Sequence, residues 1–245
     1  MYEFENTYWW HIGRRAIIDT ILRRFAAQNK YKMVVDMGCG TGVNFDFLKK
    51  YGQHIIGTDN SSLALSYAKK HGYDKLILTN DNSSSFGDNT VGIVVLFDVL
   101  EHLLDDSGTV KKINRILEDG GLLVITVPAY QFLWSEHDVA LHHYRRYTAK
   151  QLRTMLHANG FAVQKLSYCI SFLFPIIVAY RMGRRLLKAL FGVRSKLNTS
   201  YVAMPKPLNS FFVFLLYIES LLLSYVNFPV GTSIIAVAKK VKRNN

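Results

Sequence analysis

The chain contains 245 residues, of which 49% are hydrophobic and 20% are charged. It can therefore bury one substantial core but is too short for two ordinary domains of equal size. Its two cysteines, Cys39 and Cys169, exclude a disulfide framework, and neither has a partner at the spacing of a zinc site. We expect one main domain with additions, located in the reducing cytosol.

The net charge of +12 is concentrated in the last third of the chain. Residues 166–245 contain eleven lysines and arginines against one acid, Glu219, whereas the first 165 residues contain nineteen against seventeen. Because this basic segment is also strongly apolar, it favours an anionic membrane surface over nucleic acid as its partner. We expect the protein to lie peripherally on the inner, cytoplasmic face of the membrane.

Apolar residues at helical spacing predict a first helix over residues 9–25. A short apolar run at 31–36 leads into a Gly-x-Gly-x-Gly turn, which predicts a buried strand followed by a helix at 44–51. Strands and helices then alternate, with strands predicted at 54–59, 75–79, 92–97 and 122–127 and helices at 61–71 and 109–117.

After a long loop, the pattern predicts a helix at 148–158, a strand at 161–168 and a last strand at 233–241. Parallel strands need crossover helices, and the alternation of strands and helices supplies them. The sequence therefore predicts an α/β fold in which a doubly wound, largely parallel sheet carries helices on both faces.

About sixty residues between the last two predicted strands are not needed by a compact sheet, and they contain two apolar stretches, 166–180 and 208–228. The first lacks the ~20 residues that a bilayer-spanning helix needs, and the second has an acid, Glu219, within it. We expect two helices lying in or dipping into one leaflet, with the basic stretch between them facing lipid phosphates. Alternatively, both helices pack on the main domain or on a second subunit, which would make the protein a homodimer.

Three glycines, Gly38, Gly40 and Gly42, stand where the first strand must turn into a helix, after Asp36. Glycine permits positive φ and lets a ligand approach the backbone. Asp59 ends the next strand, where a carboxylate can accept both ribose hydroxyls of an adenosine. The alternative for Asp59 is an ordinary cap of the helix that starts near residue 61. The glycine spacing differs from the Gly-x-Gly-x-x-Gly of dinucleotide sites.

This Asp-x-Gly-x-Gly-x-Gly segment resembles the first motif of the class I S-adenosylmethionine-dependent methyltransferases. The resemblance continues in Asn80-Asp81 and in the run from Phe97 to His102, and it covers residues 32–127. It implies a Rossmann-like sheet of seven strands, parallel except for one antiparallel strand, with an apolar helical insertion between the last two strands. It also implies S-adenosylmethionine as the cofactor and S-adenosylhomocysteine as the product.

The resemblance assigns roles to matching residues. Asp36 and the backbone of Gly38 and Gly40 would meet the amino acid end of the cofactor, Asp59 the ribose, and Asn80 or Asp81 the adenine amine. Phe97 would flank the cofactor. The full cofactor set implied is Asp36, Met37, Gly38, Gly40, Asp59, Asn60, Asn80, Asp81, Phe97, Asp98 and His102.

A narrower resemblance is to bacterial methyltransferases grouped with surface-polysaccharide and lipid-linked glycan functions. It rests on the run from Trp9 to Arg14 and on Asp138 followed by the run from His143 to Thr148. Ligands of open α/β sheets lie beyond the carboxyl ends of the strands, so the loop 128–147 should overhang the methyl group and form the wall of the substrate site. The substrate-binding residues we expect are Trp10, Arg14, Tyr130 and Tyr147.

Candidates for catalysis lie after the fourth and fifth strands. His143 is the first candidate for a general base, because an imidazole accepts a proton near neutral pH. Arg145 and Arg146 suit a substrate phosphate or carboxylate, although the same run could be a hydrogen-bonded loop with solvated arginines. A pair like Glu101 and His102 has been associated with metal binding in quinone-type relatives. Two ligands do not define a metal site, so we expect no metal and treat His102 as a cofactor neighbour or second candidate base.

The leading hypothesis is a methyltransferase that modifies an amphiphilic or lipid-linked small molecule, such as a glycan-lipid, a quinone precursor or a lipid, at the membrane surface. We expect an N-terminal helical segment over the active site at 1–30, the methyltransferase domain at 31–168 and 231–245, and the insertion at 169–230. RNA methylation is an alternative that the positive charge permits, although nucleic acid is not the expected partner. A non-catalytic protein that binds S-adenosylmethionine is a further alternative, and the glycine spacing disfavours a nicotinamide-dependent oxidoreductase.

Overall fold

A computed structural model of the chain describes residues 4–26, 31–80, 85–191 and 204–242, with the backbone alone at residue 191. Asp81, which belongs to the predicted cofactor set, lies outside the described residues. The basic stretch predicted between the two apolar helices also lies partly outside them.

The described residues form one seven-stranded sheet in the order β3-β2-β1-β4-β5-β7-β6. Strand β7 is antiparallel to its neighbours β5 and β6, and the other neighbouring strands pair in parallel. This confirms the predicted Rossmann-like sheet with one antiparallel strand. The strands are β1 (Tyr31–Met37), β2 (Gly52–Asp59), β3 (Lys75–Leu78), β4 (Val91–Phe97), β5 (Leu117–Pro128), β6 (Phe161–Cys169) and β7 (Ser233–Lys240).

The described part of the chain also contains eight α-helices, of which the first precedes β1 and the others lie between strands. They are α1 (Trp9–Ala26), α2 (Phe45–Leu48), α3 (Ser62–Ala68), α4 (Asp106–Ile116), α5 (Glu136–Ala140), α6 (Ala149–Ala158), α7 (Phe174–Phe191) and α8 (Lys206–Leu223). The predicted helix at 44–51 is wrong in length. Only four residues form α2, because a tight turn in which Tyr51 N donates to Leu48 O ends it just before β2 begins.

Both faces of the sheet are covered by buried apolar side chains, which form two large core clusters. Ile113 of α4 and Leu152 of α6 belong to the first cluster. Ile17 of α1 and Leu216 of α8 belong to the second. All seven residues of β4 are buried, as expected for the central strand of a parallel sheet that is covered on both sides.

The insertion between β6 and β7 contains the expected pair of helices, but its first helix is displaced from the predicted position. The apolar stretch 166–180 is divided, because its first residues complete β6 and α7 begins only at Phe174. Pro175 therefore lies in the first turn of α7, where a missing backbone N–H costs nothing. Helix α7 continues through Arg181, Arg184, Arg185 and Lys188, so these basic residues lie on the helix instead of between two helices.

Helix α8 packs against α1 and is tied to the end of β6 by its acid. Glu219 is fully buried, and its Oε2 accepts hydrogen bonds from the backbone N–H of Ser171 at 2.8 Å and Phe172 at 3.0 Å. Gly13 lets α1 approach Leu216 so closely that a Cβ on this glycine would collide with the leucine. By length and composition Lys206–Leu223 could cross a membrane, with a mean hydropathy of 1.4. That criterion is also met by helices that pack on soluble domains.

Candidate active site

The turn after β1 forms the floor of a crevice at the carboxyl edge of the sheet. Gly38 has a φ of +70° and Gly40 a φ of +54°, both in the left-handed region. A Cβ on Gly38 would come within 2.5 Å of Val99. Apart from Gly40 and its two neighbours in the chain, no described residue has an atom within 4 Å of the place where a Cβ on Gly40 would stand. The backbone at Gly40 therefore faces open space, which a ligand could use.

Asp36 lies at the base of this turn. Its side chain is completely buried, and the hydroxyl of Tyr73 donates a hydrogen bond of 2.7 Å to its Oδ2. Its Oδ1 has no hydrogen-bond partner among the described residues. Burial raises the pKa of Asp36 to about 6. A buried oxygen without a partner is costly, so a ligand that donates a hydrogen bond here is favoured. The sequence carried no signal for the role of Tyr73.

Asp59 ties the glycine turn to the end of β2. Its Oδ2 accepts from the backbone N–H of Gly40 at 2.9 Å, and its Oδ1 accepts from that of Ser61 at 2.8 Å. Helix α3 is capped by Ser61, whose Oγ accepts from Ala64 N. The alternative that Asp59 is the cap is therefore wrong. Each carboxylate oxygen retains a lone pair for a ligand hydroxyl.

The remaining residues of the predicted cofactor set differ in accessibility. Asn60 and Asn80 are exposed at the ends of β2 and β3. Met37 is fully buried in the first core cluster, so only its backbone could meet a ligand. Phe97 is 5% exposed, and its ring lies 6.2 Å from that of Phe47 in the second core cluster. Core packing thus encloses most of this ring, and its predicted place beside the cofactor stays a prediction.

Helix α1 reaches the crevice through Arg14. Its guanidinium forms an ion pair with Asp98, which follows β4 with a φ of +57°. The same guanidinium lies 4.8 Å from the centre of the Trp10 ring, within cation–π distance. The structure thus brings the predicted substrate residues Trp10 and Arg14 beside the predicted cofactor residue Asp98.

Glu101, His102 and His143 converge just beyond the end of β4. One ligand atom from each lies within 4.8 Å of the others, and the two imidazole rings meet edge to face at 4.6 Å. Glu101 is fully buried, neither of its carboxylate oxygens has a partner in the described chain, and burial raises its pKa well above its usual value. The sequence showed only two of these groups together, because His143 comes from a distant loop. The expectation that no metal binds stays a prediction.

The wall segment, residues 129–147, is organised around the buried carboxylate of Asp138. Arg146 donates to it through Nε at 2.7 Å and Nη2 at 3.0 Å, and donates to Ala129 O through Nη1 at 3.0 Å. The guanidinium is buried and each of its three nitrogens donates within the protein, so the prediction that Arg146 binds a substrate anion is corrected. Oδ1 of Asp138 also lies 3.0 Å from Nδ1 of His143, within hydrogen-bond distance.

Two further predictions on this wall need correction. Tyr147 is 5% exposed, and its hydroxyl donates to Asp106 Oδ2 at 2.7 Å, so it belongs to the core and not to a substrate surface. Arg145 donates to Leu104 O at 2.9 Å and forms an ion pair with Asp106 at 3.1 Å, although its side chain remains 35% exposed. These contacts agree with the alternative interpretation of the run 143–148 as a hydrogen-bonded loop. The two arginines are not simply solvated, as that alternative had assumed.

Tyr130, another predicted substrate residue, stays partly exposed where β5 ends. It has a φ of +58°, and its ring stacks on that of Tyr168 at 4.8 Å. Its ring also lies 5.9 Å from that of Phe174, the first residue of α7. Tyr130 therefore stands between the wall and the apolar insertion.

The basic residues of α7 contact the wall. Arg181 donates to Leu133 O, and Arg185 donates to Trp134 O at 2.6 Å. Arg184 and Lys188 lie 3.7 Å and 3.2 Å from the carboxylate of Glu136. The sequence-based expectation that these residues face lipid phosphates missed this contact, since nothing local in the sequence pairs the two segments.

A comparison with known protein families identifies the family to which this chain belongs. The model of a methyltransferase domain family matches residues 9–166, more than half of the chain. The chain belongs to this methyltransferase domain family. The match begins with α1 and ends in β6, so it includes the glycine turn, the cluster after β4 and the wall.

Named relatives of this methyltransferase chain are consistent with the family. It is 27% identical over 164 residues to a probable S-adenosylmethionine-dependent methyltransferase of Mycolicibacterium smegmatis, covering 65% of this chain and 62% of that protein. It is 30% identical over 96 residues to a ubiquinone biosynthesis O-methyltransferase of Aromatoleum aromaticum, covering 37% and 41%. The chain thus spans less than two thirds of the length of these relatives.

Solved structures show the same fold. A methyltransferase of Haloferax volcanii, solved with the activator Trm112, superposes with a TM-score of 0.63 at 16% identity, covering 99% of this chain and 93% of that one. A methyltransferase of Bacillus halodurans gives 0.61 at 16% identity, covering 91% and 99%. The names of relatives such as the Mycolicibacterium smegmatis protein agree with the predicted cofactor, S-adenosylmethionine. The unpartnered Oδ1 of Asp36 and the open backbone at Gly40 fit the ammonium and carboxylate groups of its amino acid end.

Proposed function

We propose that this chain is an S-adenosylmethionine-dependent methyltransferase that acts on an amphiphilic or lipid-linked small molecule at a membrane surface. The observation that carries the proposal is the crevice at the carboxyl edge of the sheet. There an open glycine backbone lies between a buried carboxylate with a free oxygen, on Asp36, and a carboxylate held at the tip of the next strand, on Asp59.

The residues of the crevice have separate tasks in binding. Asp36 accepts hydrogen bonds from the amino group of the methionine portion, and Asp59 accepts from the ribose hydroxyls. The exposed Asn60 and Asn80 lie where the adenosine would extend. When bound, the cofactor supplies an electrophilic methyl group on a sulfonium, and correct alignment of the acceptor with that methyl provides much of the rate.

His143 acts as the general base for an acceptor that must lose a proton. Its side chain is 7% exposed, which shields it from bulk water, and its ring lies against that of His102 beyond β4. Proton abstraction by a positioned imidazole contributes about 100- to 10,000-fold to a rate. His102, which is more exposed, remains the second candidate.

An amphiphilic acceptor is supported by the surface of the insertion. Helix α8 buries one face on α1 and leaves a second face of large apolar side chains exposed, namely Phe211, Phe214, Tyr217, Ile218, Leu221 and Leu222. Helix α7 exposes Leu186, Leu187 and Leu190 beside Arg184, Arg185 and Lys188. Exposed apolar side chains accompanied by basic residues are typical of proteins that bind an anionic membrane. Relatives named for ubiquinone biosynthesis and for demethylmenaquinone methylation agree with an acceptor of this class.

Insertion of α8 across a bilayer is not part of the proposal. Such an insertion would break the two hydrogen bonds that Glu219 accepts from backbone N–H groups. It would also bury the Glu219 carboxylate in lipid, which is costly. The location that we propose is therefore peripheral, on the inner face of the cytoplasmic membrane, with α8 lying along the surface.

Transfer of labelled methyl groups tests the activity. Purified protein incubated with labelled S-adenosylmethionine should transfer label to a bacterial total lipid extract and not to total RNA. Label in RNA alone would support the RNA alternative and contradict ours. Calorimetric binding of S-adenosylmethionine with no transfer to either extract would favour a non-catalytic binding protein.

Sedimentation with vesicles tests the location. The protein should sediment with vesicles that contain phosphatidylglycerol more than with pure phosphatidylcholine, and Phe214→Glu should reduce that binding. Leu63→Glu is the matched control, because Leu63 is 67% exposed on α3, away from the insertion. Equal binding of both variants would contradict the proposal. A stable dimer that Phe214→Glu dissociates, without vesicle binding, would show that a second copy covers α8.

A further inference from the structure

We propose that Asp138 is a positioning residue that orients His143 so that its Nε2 faces the acceptor as a proton acceptor. This inference rests on the proposed function, since it assigns His143 a catalytic partner. It begins from the contact between Asp138 Oδ1 and His143 Nδ1, which is 3.0 Å long and lies between a fully buried carboxylate and a nearly enclosed ring.

The position of Asp138 is fixed by a local motif. It is the third residue of α5, and its Oδ2 accepts from the backbone N–H of Ser135 at 2.8 Å and from the Ser135 hydroxyl at 3.1 Å, closing a capping box. Arg146 holds the same carboxylate through two nitrogens. A carboxylate that is bound on several sides cannot follow a moving ring, so it holds the ring in one orientation.

The backbone of His143 is fixed by the same residue and by the neighbouring turn. His143 N donates to Asp138 O at 2.9 Å, and Tyr144 N donates to Glu101 O at 2.8 Å. His142 has a φ of +57°, which makes the sharp turn that brings His143 back toward α5. The imidazole is therefore anchored both through its main chain and through Nδ1.

The charge state of Asp138 determines which ring nitrogen carries the proton. Burial by itself would raise the pKa of Asp138, but the hydrogen bond from His143 and the charge of Arg146 together hold it well below its usual value. An ionised carboxylate only accepts hydrogen bonds, so Nδ1 must be the protonated nitrogen of the neutral ring. Nε2 then carries the lone pair, and the ring that bears it lies edge to face against that of His102 at 4.6 Å.

The ring tautomer provides a test that needs no activity. Nitrogen-detected NMR of the neutral wild-type protein, with the His143 signals assigned by their loss in His143→Gln, should show the proton on Nδ1. Asp138→Asn should abolish that preference, because an amide can donate to Nδ1. His142→Asn, which keeps a residue tolerant of positive φ, is the matched control and should leave the tautomer of His143 unchanged. A proton on Nε2 in the wild-type protein would overturn the proposal, whether or not Asp138→Asn folds.

Turnover of the full-length protein provides the second test. Asp138→Asn should lower kcat about 100-fold with little change in KM for S-adenosylmethionine, as expected when a base is misoriented. In the His143→Gln background the same substitution should cost less than about two-fold, since both changes remove one function. Equal losses in both backgrounds would show a merely structural role and overturn the proposal. If His143→Gln retains full turnover, the base assigned under the proposed function fails, and the positioning role fails with it.

Discussion

The glycine turn that forms the cofactor side of the crevice is held mainly through its backbone. Asp59 accepts from the backbone of Gly40 and Ser61, and the turn itself is set by positive φ at glycine. The wall on the acceptor side is held instead by side-chain donors, because Arg146 donates to the carboxylate of Asp138 and Arg181 of α7 donates to the carbonyl of Leu133. The cofactor side is therefore recognisable from its glycines, whereas the acceptor side also depends on how the insertion packs against the wall.

The largest effect should come from the acceptor side. His143→Gln should lower kcat about 100-fold or more, because a general base contributes at least that much. The affinity for S-adenosylmethionine, measured by calorimetry, should stay within about two-fold of wild type, since His143 lies on the wall and not on the glycine turn. A comparable loss of cofactor affinity would erase the distinction between the two sides.

The cofactor side should respond to loss of Asp59. Asp59→Ala should weaken binding of S-adenosylmethionine about 10- to 100-fold, because hydrogen bonds to a charged group contribute about 1.5–3 kcal/mol and the Gly40 turn loses its anchor. Asp88→Ala is the control, since this exposed carboxylate pairs with Arg115 and lies apart from the crevice. Calorimetry that finds equal affinities for the two variants would contradict the assignment.

Cofactor binding should also depend on pH through Asp36. Because burial raises the pKa of this carboxyl to about 6, it is largely protonated at pH 5 and largely ionised at pH 7. A cationic ligand favours the ionised form, so affinity should rise by about 10-fold from pH 5 to pH 7. Asp36→Asn should flatten this dependence. An affinity that falls as the pH rises would show that the protonated carboxyl is the binding form.

The smallest effect is expected where α7 meets the wall. Glu136→Gln removes the carboxylate that pairs with Arg184 and Lys188, and these partly exposed ion pairs should contribute less than about 1 kcal/mol. The midpoint of thermal unfolding should shift by less than about 4 °C, with the greater part of the change lost at high salt. A shift that persists in 1 M salt would show that van der Waals packing of Glu136, and not its charge, stabilises the contact with α7.

The sequence predicted the sheet, the glycine turn and the carboxylates at the ends of β1 and β2. These features depend on short-range rules, because apolar periodicity reports burial and only glycine accepts positive φ without cost. It also predicted the insertion between β6 and β7. It misplaced the start of α7, since an apolar run does not reveal where a strand ends and a helix begins.

Only the tertiary structure decided which polar side chains of the wall are available. Arg146 and Tyr147 were predicted to take part in the substrate site. In the structure the guanidinium of Arg146 donates to Asp138 and the hydroxyl of Tyr147 donates to Asp106. Likewise, the loop that follows β5 places His143 next to Glu101 and His102, which are distant from it in the sequence. A buried polar group takes whichever partner the packing brings near it, and that partner is set by three-dimensional distance and not by spacing along the chain.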